Sequence, residues 1–516
     1  MSDSNAFLSL EKIRAVETRA LAGADAGELM YRAASALAAM AESLLIAQPV
    51  QTSVTALIGP GNNGGDALLA LMMLEAGGYQ INACSLGQAP NEGTDAHAVW
   101  ARFQAQGGTF IPIEGLPDLL PALSGGATRG RHASLLIDGM FGIGLRRPLE
   151  GGAARTAQLT HRLDSPLIAV DVPSGINCDT GAIVGGARGA AVKASHTITL
   201  IGNKPGLYTG PGRAHAGQVS VNTLGIATPA PSGLFIDQSW VATRLRKRQT
   251  NSHKGSFGSV GVLGGAPAMP GAALLAARAA QATGAGKVTI MSPVASVFDP
   301  GSPQLMSGQL ERPADLDAHV ARISCLVAGC GLGTDQLASS LLARALVAPI
   351  PAVIDADALN LVAGQGAKSD LRGLMLSRGQ SVPTILTPHP LEAARLLGQS
   401  VAQIEDNRVT NAGRLALEWQ STVILKGAGS VIAAPDGRWA IIGSGGPALA
   451  TGGSGDLLAG IAGALLAQGY PAWEAAAMAA WLHGNAADLW AREHPRQVGL
   501  NADTLLQHLI ESINQS

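Results

Sequence analysis

The chain has 516 residues, long enough for two or more domains. Hydrophobic residues make up 47% and charged residues 14%, with 66 glycines, which excludes a disordered chain and points to a heavily buried α/β protein. A net charge of −2 argues against nucleic acid and against an anionic membrane as partners.

The first residues, Met1 to Phe7, carry neither a basic nor an apolar stretch, and no apolar run is long enough to span a bilayer without Gly, Pro or charge. A soluble, cytoplasmic protein is expected. Two helices are expected over residues 9–47, marked by Leu10, Ile13, Val16, Glu17 and Leu21 and then by Leu29, Ala33, Leu37, Met40 and Leu44. Residues 54–58 read as a buried strand, 59–66 as a Gly-rich loop and 67–76 as a helix. Gly59, Gly61 and Gly64 satisfy G-x-G-x-x-G, but the next strand, 81–86, ends at Gly87 without the acidic residue that would hold a ribose. Asn62, Asn63 and Asp66 crowd polar side chains into that one loop. This suggests contact with a ligand and an ion, against the plainer reading of an Asn-Gly turn held by its own side chains.

Residues 133–137 read as a strand leading to Asp138 and the segment Gly139 to Pro148. Residues 166–170 lead to Asp171, followed by Val172-Pro173-Ser174-Gly175. Two Asp residues just past buried parallel strands, beside the Asn-rich loop, argue for one site at the carboxyl edge of a sheet. Oxygen ligands without clustered His or Cys suit a hard cation. Strands 195–200 and 217–222 close this domain near Gly225.

Residues 226–256 read as a linker, and Arg244-Leu245-Arg246-Lys247-Arg248 within it as a solvated face. The second domain begins near Gly258. Strands at 259–263, 287–291, 325–328, 351–354, 384–386 and 422–425 alternate with helices, which predicts a mostly parallel sheet covered on both faces. Cys84, Cys178, Cys325 and Cys330 form no C-x-x-C pair and read as buried thiols. His389, between Pro388 and Pro390 at a strand end, is expected to touch a ligand. Gly452, Gly453 and Gly455 precede an apolar helix, 457–466, and leave backbone N–H groups free for an anion. Asp456 stands in the first turn of that helix. A carboxylate beside a phosphate cradle makes sense as a base for a hydroxyl that attacks the phosphate; the plainer reading is a helix cap.

In their order and joint presence these motifs resemble the bifunctional NAD(P)H-hydrate repair enzymes. Gly61 to Asp66, the Asp138 segment and Asp171 to Gly175 are similar to the epimerase part. His253-Lys254-Gly255, Gly271-Ala272, Asp355 to Asn360, Thr387 to Pro390, Lys426 to Ser430 and Gly452 to Asp456 are similar to the dehydratase part. The resemblance implies a Rossmann-like doubly wound domain over 1–228, an NAD(P)H-hydrate epimerase, and a ribokinase-like α/β domain over 236–516, an ADP-dependent dehydratase. It implies that Asn62, Asn63, Gly64, Gly65, Asp66, the segment Gly142, Ile143, Gly144, Leu145, Arg146, Arg147 and Pro148, and Asp171 contact the hydrated dinucleotide, with Asp171 as acid/base. Asn63, Asp138 and Ser174 would ligate potassium. Ala272, Gly331, Gly333, His389 and Asp456 would line the dehydratase site, with Asp456 as base. Lys426, Gly427, Ala428, Gly429, Ser430 and Gly455 would hold ADP with magnesium. The expected partners are hydrated NADH and NADPH and ADP, in a homo-oligomer, without nucleic acid or membrane. Ala67, Leu391, Gly446, Ala448 and Leu449 depart from the usual pattern, which touches fine nucleotide contacts but no charged group. The alternatives are a small-molecule kinase fused to a regulatory domain, and a first domain that only binds.

Overall fold

A computed structural model describes residues 6–46, 53–119, 135–294, 297–364 and 370–516; Ala133 and Ser134 of one expected strand lie outside them. The chain divides into two units, Met1–Gly233 and Leu234–Ser516.

In the first unit, apolar runs bounded by Gly and Asp form seven strands: β1 (Ser53–Ile58), β2 (Gln80–Ser85), β3 (Phe110–Pro112), β4 (Leu135–Gly139), β5 (Leu167–Val170), β6 (His196–Leu200) and β7 (Gln218–Asn222). They pair in the order β3-β2-β1-β4-β5-β6-β7, all parallel. This is a doubly wound sheet whose strand order reverses between β1 and β4. Both faces are covered, which is why β4 and β5 are buried along their whole length and read as unbroken apolar runs. Helix α1 (Leu10–Leu21) precedes α2 (Glu28–Ile46). Among the described residues, α2 alone is long and apolar enough to cross a membrane. Its stripe Met30, Ala34, Leu37, Ala41 and Leu45 is buried in the core with Leu68 and Leu71.

Two expectations are corrected here. Helix α3 spans Asn62–Ala76, so the polar loop is the helix's own first turns and not a preceding loop. Gly61 is the extended cap, and a Cβ on Gly64 would lie 2.1 Å from the Gly59 carbonyl oxygen. The missing side chain therefore lets the helix start directly on the strand end. Asp138 lies inside β4, paired in register with Ala169, and not past the strand.

In the second unit the strands are β8 (Gly233–Ile236), β9 (Ser259–Leu263), β10 (Lys287–Ser292), β11 (Met306–Gln309), β12 (Cys325–Ala328), β13 (Ala352–Ile354), β14 (Thr384–Leu386), β15 (Thr422–Leu425), β16 (Val431–Ala433) and β17 (Trp439–Ile442). They run in the order β8-β17-β16-β15-β14-β13-β12-β9-β10-β11. The pairs are parallel except β15-β16 and β16-β17, which are antiparallel. Of the expected linker, residues 234–256 belong to this unit. Within it, β8 pairs with β17, and Asp237 caps a helix over Gln238–Ala242. The charge run is not simply solvated. The guanidinium groups of Arg244, Arg246 and Arg248 lie over the rings of Trp240, Tyr470 and Phe257 at 4.0, 4.2 and 4.1 Å. All four cysteines are buried and free. The helix expected over 457–466 spans Ser454–Ala467 and packs into the core beneath β9, β12 and β13.

Candidate active sites

In the first unit the turns after β1, β4, β5 and β6 enclose a cavity of about 730 Å³ at the carboxyl ends of the strands, completed by α1 and α2. Of the expected residues, Asn62, Asn63, Asp66, Gly142 to Arg147 and Asp171 line it. Gly64, Gly65 and Pro148 do not. Gly64 abuts the β1 turn, Gly65 packs against Met30, and the Pro148 ring lies against Gly185.

Asp171 is buried and holds a positive φ of 67°, a conformation that side chains other than Gly, Asn and Asp seldom adopt. That turn points its Oδ1 at three donors: Lys204 Nζ at 2.6 Å, Leu200 N at 3.0 Å and Thr199 Oγ1 at 3.4 Å. Lys204 is 1% exposed and also donates to Thr199 Oγ1 and the Leu200 carbonyl. Sequence reasoning missed this lysine. Nothing local marks it, since its partner lies 33 positions away. The side chain of Asn63 stands beside Gly142, and its Nδ2 is buried without a hydrogen-bond partner among the described residues, an orphaned donor on the cavity wall.

Below the cavity, Asp138 is fully buried. Its carboxylate accepts from Ser174 N at 2.8 Å, Ser174 Oγ at 2.7 Å and Met140 N at 3.2 Å. The Phe141 carbonyl lies 3.1 Å from Ser174 Oγ, and the Asn63 carbonyl stands over Gly139. Burial raises Asp138 to about 6, against the pull of those hydrogen bonds.

In the second unit, parallel strands bring their following turns to one edge: Gly331 and Gly333 after β12, Asp355 after β13, His389 after β14 and Lys426 after β15. Lys426 Nζ lies 3.0 Å from Asp355 Oδ1 and 3.7 Å from Glu392 Oε2. Burial alone would lower this lysine, but Asp355 and Glu392 outweigh it and hold it above its usual value. The helix Ser454–Ala467 points its first turn at this group, so that a Cβ on Gly455 would lie 3.5 Å from Lys426 Nζ. Ligand atoms of Asp456, Asp355 and Cys330 lie within 4.8 Å of one another. Burial, then Asp355, raises Asp456 to about 6. Burial also keeps the Cys330 thiol protonated. Ala272 touches Gly331, and Gly333 N donates to Asp357 Oδ2 at 2.8 Å. Arg408, fully buried, donates to the carbonyls of Leu425 and Lys426 from beneath the turn that carries Gly427 to Ser430.

His389 has a local task as well. Its Nδ1 accepts from Leu391 N and Glu392 N, its own N–H is taken by Glu392, and its Nε2 lies 3.3 Å from Glu392 Oε1. The ring caps the helix Pro390–Leu397, an arrangement legible in the three-residue spacing of His389 and Glu392. Glu392 was otherwise missed; burial raises it to about 7.

A family model described as NAD(P)H-hydrate dehydratase matches residues 260–511, and one described as YjeF-related protein N-terminus matches residues 26–206. The bifunctional NAD(P)H-hydrate repair enzyme of Coxiella burnetii is 34% identical over 513 residues, spanning 98% of this chain and 98% of its own. This chain belongs to the bifunctional NAD(P)H-hydrate repair enzyme family. The Moorella thermoacetica member is 35% identical over 465 residues, covering 87% of this chain and 85% of its own. A solved ADP/ATP-dependent NAD(P)H-hydrate dehydratase from Bacillus subtilis, co-crystallized with ATP and Mg2+, is 30% identical and covers 55% of this chain and 98% of its own, with a TM-score of 0.47. The doubly wound first unit and the mostly parallel α/β second unit are those expected of a family member.

Proposed function

We propose that the chain repairs hydrated NADH and NADPH. The first unit interconverts the R and S hydrates at C6, and the second dehydrates the S form with ADP, yielding NAD(P)H, AMP and phosphate. The observation that carries this reading is Asp456, a half-buried carboxylate in the first turn of an N-terminal anion cradle, raised toward neutrality and flanked by Lys426. A hydroxyl on the reduced ring leaves poorly as hydroxide. Asp456 takes its proton, the alkoxide is phosphorylated against the free N–H groups of Gly453 to Gly455, and phosphate is the better leaving group.

Lys426 and the turn Gly427 to Ser430 hold the ADP phosphates, with Arg408 bracing that turn from below. Ala272, Gly331, Gly333 and His389 shape the wall against the nicotinamide. Asp355, whose ligand atom lies within 4.8 Å of that of Asp456, supplies hard oxygens that fit a magnesium ion and leaves Asp456 to act as base; the protonated Cys330 thiol does not fit. When bound, the ion would offset the negative charge of the phosphates. In the first unit Asp171 is the acid/base, steadied by Lys204, and Asn62, Asn63, Asp66 and Gly142 to Arg147 hold the dinucleotide. Asn63, Asp138 and Ser174 would hold potassium. The donor set is all oxygen, and no cationic side chain pairs with buried Asp138 among the described residues. When bound, potassium would compensate that carboxylate and the nearby phosphates. We place the enzyme in the cytoplasm, acting as a homo-oligomer.

The test is recovery of reduced-nicotinamide absorbance from purified S hydrate with ADP. Parallel incubations with ATP and small alcohols examine kinase activity. Phosphorylated alcohol without restored NADH would replace this reading with the kinase one.

A further inference from the structure

The apolar stripe of α1 is interrupted by a carboxyl group. Ile13 and Val16 are its buried residues, and Glu17, one turn beyond Ile13, takes the next position facing inward. Its side chain lines the 730 Å³ cavity beside Ile13, Arg14 and Leu21. Among the described residues it makes no hydrogen bond or ion pair. Asp171 and Asp66 line the same cavity. Asp66 is 7% exposed, and it too has no hydrogen-bond partner among the described residues. Burial and then Asp171 push both Glu17 and Asp66 up, while Lys204 and Arg14 pull Glu17 down. Asp171 differs from both, because its Oδ1 is engaged by Lys204, Leu200 N and Thr199.

We propose that Glu17 is the second proton-transfer group of the epimerisation, acting on the hydrated ring from the α1 wall while Asp171 acts from the sheet edge. This rests on reading the first unit as an epimerase. Inverting C6 needs a proton delivered on one face and removed on the other. The C6–O bond breaks as the lone pair of the ring nitrogen closes a C=N bond, and the hydroxyl takes the Glu17 proton and leaves as water. A water then adds to the opposite face of C6, the C=N pair returns to nitrogen, and the surplus proton passes to Asp171. One water leaves and one enters. Glu17 has lost a proton and Asp171 has gained one, and proton exchange with water restores both before the next turnover. Arg14 steadies the carboxylate that Glu17 becomes. Asp66, buried more completely, is pushed up by burial and then by Asp171 and lines the same cavity.

The experiment uses the full chain with Glu17→Gln and Glu17→Asp. Interconversion of resolved R and S hydrates is followed without ADP for kcat and KM across pH, and dehydration by the second unit is the control for an intact protein. Glu17→Gln should lower the epimerisation kcat by about 10²–10⁴-fold, the usual worth of a positioned acid, with KM within a few-fold. It should also erase the limb of the pH profile on which activity falls at high pH, while Glu17→Asp keeps that limb at a shifted pH. A kcat within about threefold of the parent, or a lowered kcat with both limbs intact, overturns the proposal. Should Glu17→Gln fail to fold, Glu17→Asp decides: an unshifted high-pH limb overturns the proposal, and a shifted limb at unchanged KM supports it. A parent chain that dehydrates but does not epimerise overturns the epimerase reading itself.

Discussion

At the scale of single residues, the two sites handle buried charge in opposite ways. Asp171 is paired with Lys204, whereas Asp456 is left half-solvated and raised to about 6. A base near that value is mostly ionised at neutral pH yet still strong enough to take a hydroxyl proton. The sign follows from the acting form. Asp456 works deprotonated, so dehydration should be full above about pH 6 and fall about tenfold per unit as pH drops through it. Asp456→Asn keeps size, and no helix cap is lost because the N-cap is Gly453, but it cannot accept a proton. It should lose dehydration by about 10²–10⁴-fold, with ADP affinity within a few-fold and epimerisation unchanged. Rates with ADP and calorimetric ADP titration on the one variant check both halves. Lys204→Met removes the partner of a buried carboxylate, a change that typically costs about 3–5 kcal/mol. Epimerisation should vanish, and the first unfolding transition of the chain should move to lower temperature, with dehydration retained below that transition.

At the scale of elements, the turns between strands and helices set the ligand geometry. Gly427 has φ of 146°, and a Cβ there would lie 2.6 Å from Arg408 Nη2. Arg408 cannot retreat, because it is fully buried and holds the carbonyls of Leu425 and Lys426. Gly427→Ala should therefore displace the phosphate turn. With strain of about 1–3 kcal/mol, ADP affinity should fall about tenfold while epimerisation stays constant; a fluorescent ADP analogue reads the former. In the first unit, the end of β4 and the turn after β5 meet through Asp138 and Ser174. Epimerisation should be faster in potassium than in sodium or caesium buffer, and Asp138→Ala should abolish the difference. Equal rates in all three salts with the parent chain would remove the ion from the mechanism.

At the scale of the whole molecule, each unit has its own sheet and core, which predicts that the activities separate. The cut matters. A fragment starting at 236 would lose Leu234 and Phe235, which pair with Ala440 and Ile441 in β17. Fragments 1–232 and 233–516 should each be soluble, the first epimerising and the second dehydrating. Two insoluble fragments from an active parent would show that the units depend on each other.

What the sequence determined by itself was whatever local pattern can carry. Unbroken apolar runs ending in Gly or Asp announced buried parallel strands, and their turns, by topology alone, had to share a carboxyl edge. Asp138, Asp171, His389, Lys426 and Asp456 were legible for that reason. Short-range rules misjudged where a close approach or a long-range pairing decides. Helix α3 begins at Asn62 because Gly64 can sit against Gly59, and the stretch before Gly258 joins the second unit because β8 finds β17. The partners that tune each site were invisible for the same reason. Lys204 meets Asp171 across 33 positions and Lys426 meets Asp355 across 71. Glu17 reads as one more helical residue until the cavity wall is closed around it. Periodicity reports which face of an element is buried, but only the folded chain decides which charges are buried together, because burial and Coulomb interaction depend on distance in space and not along the sequence.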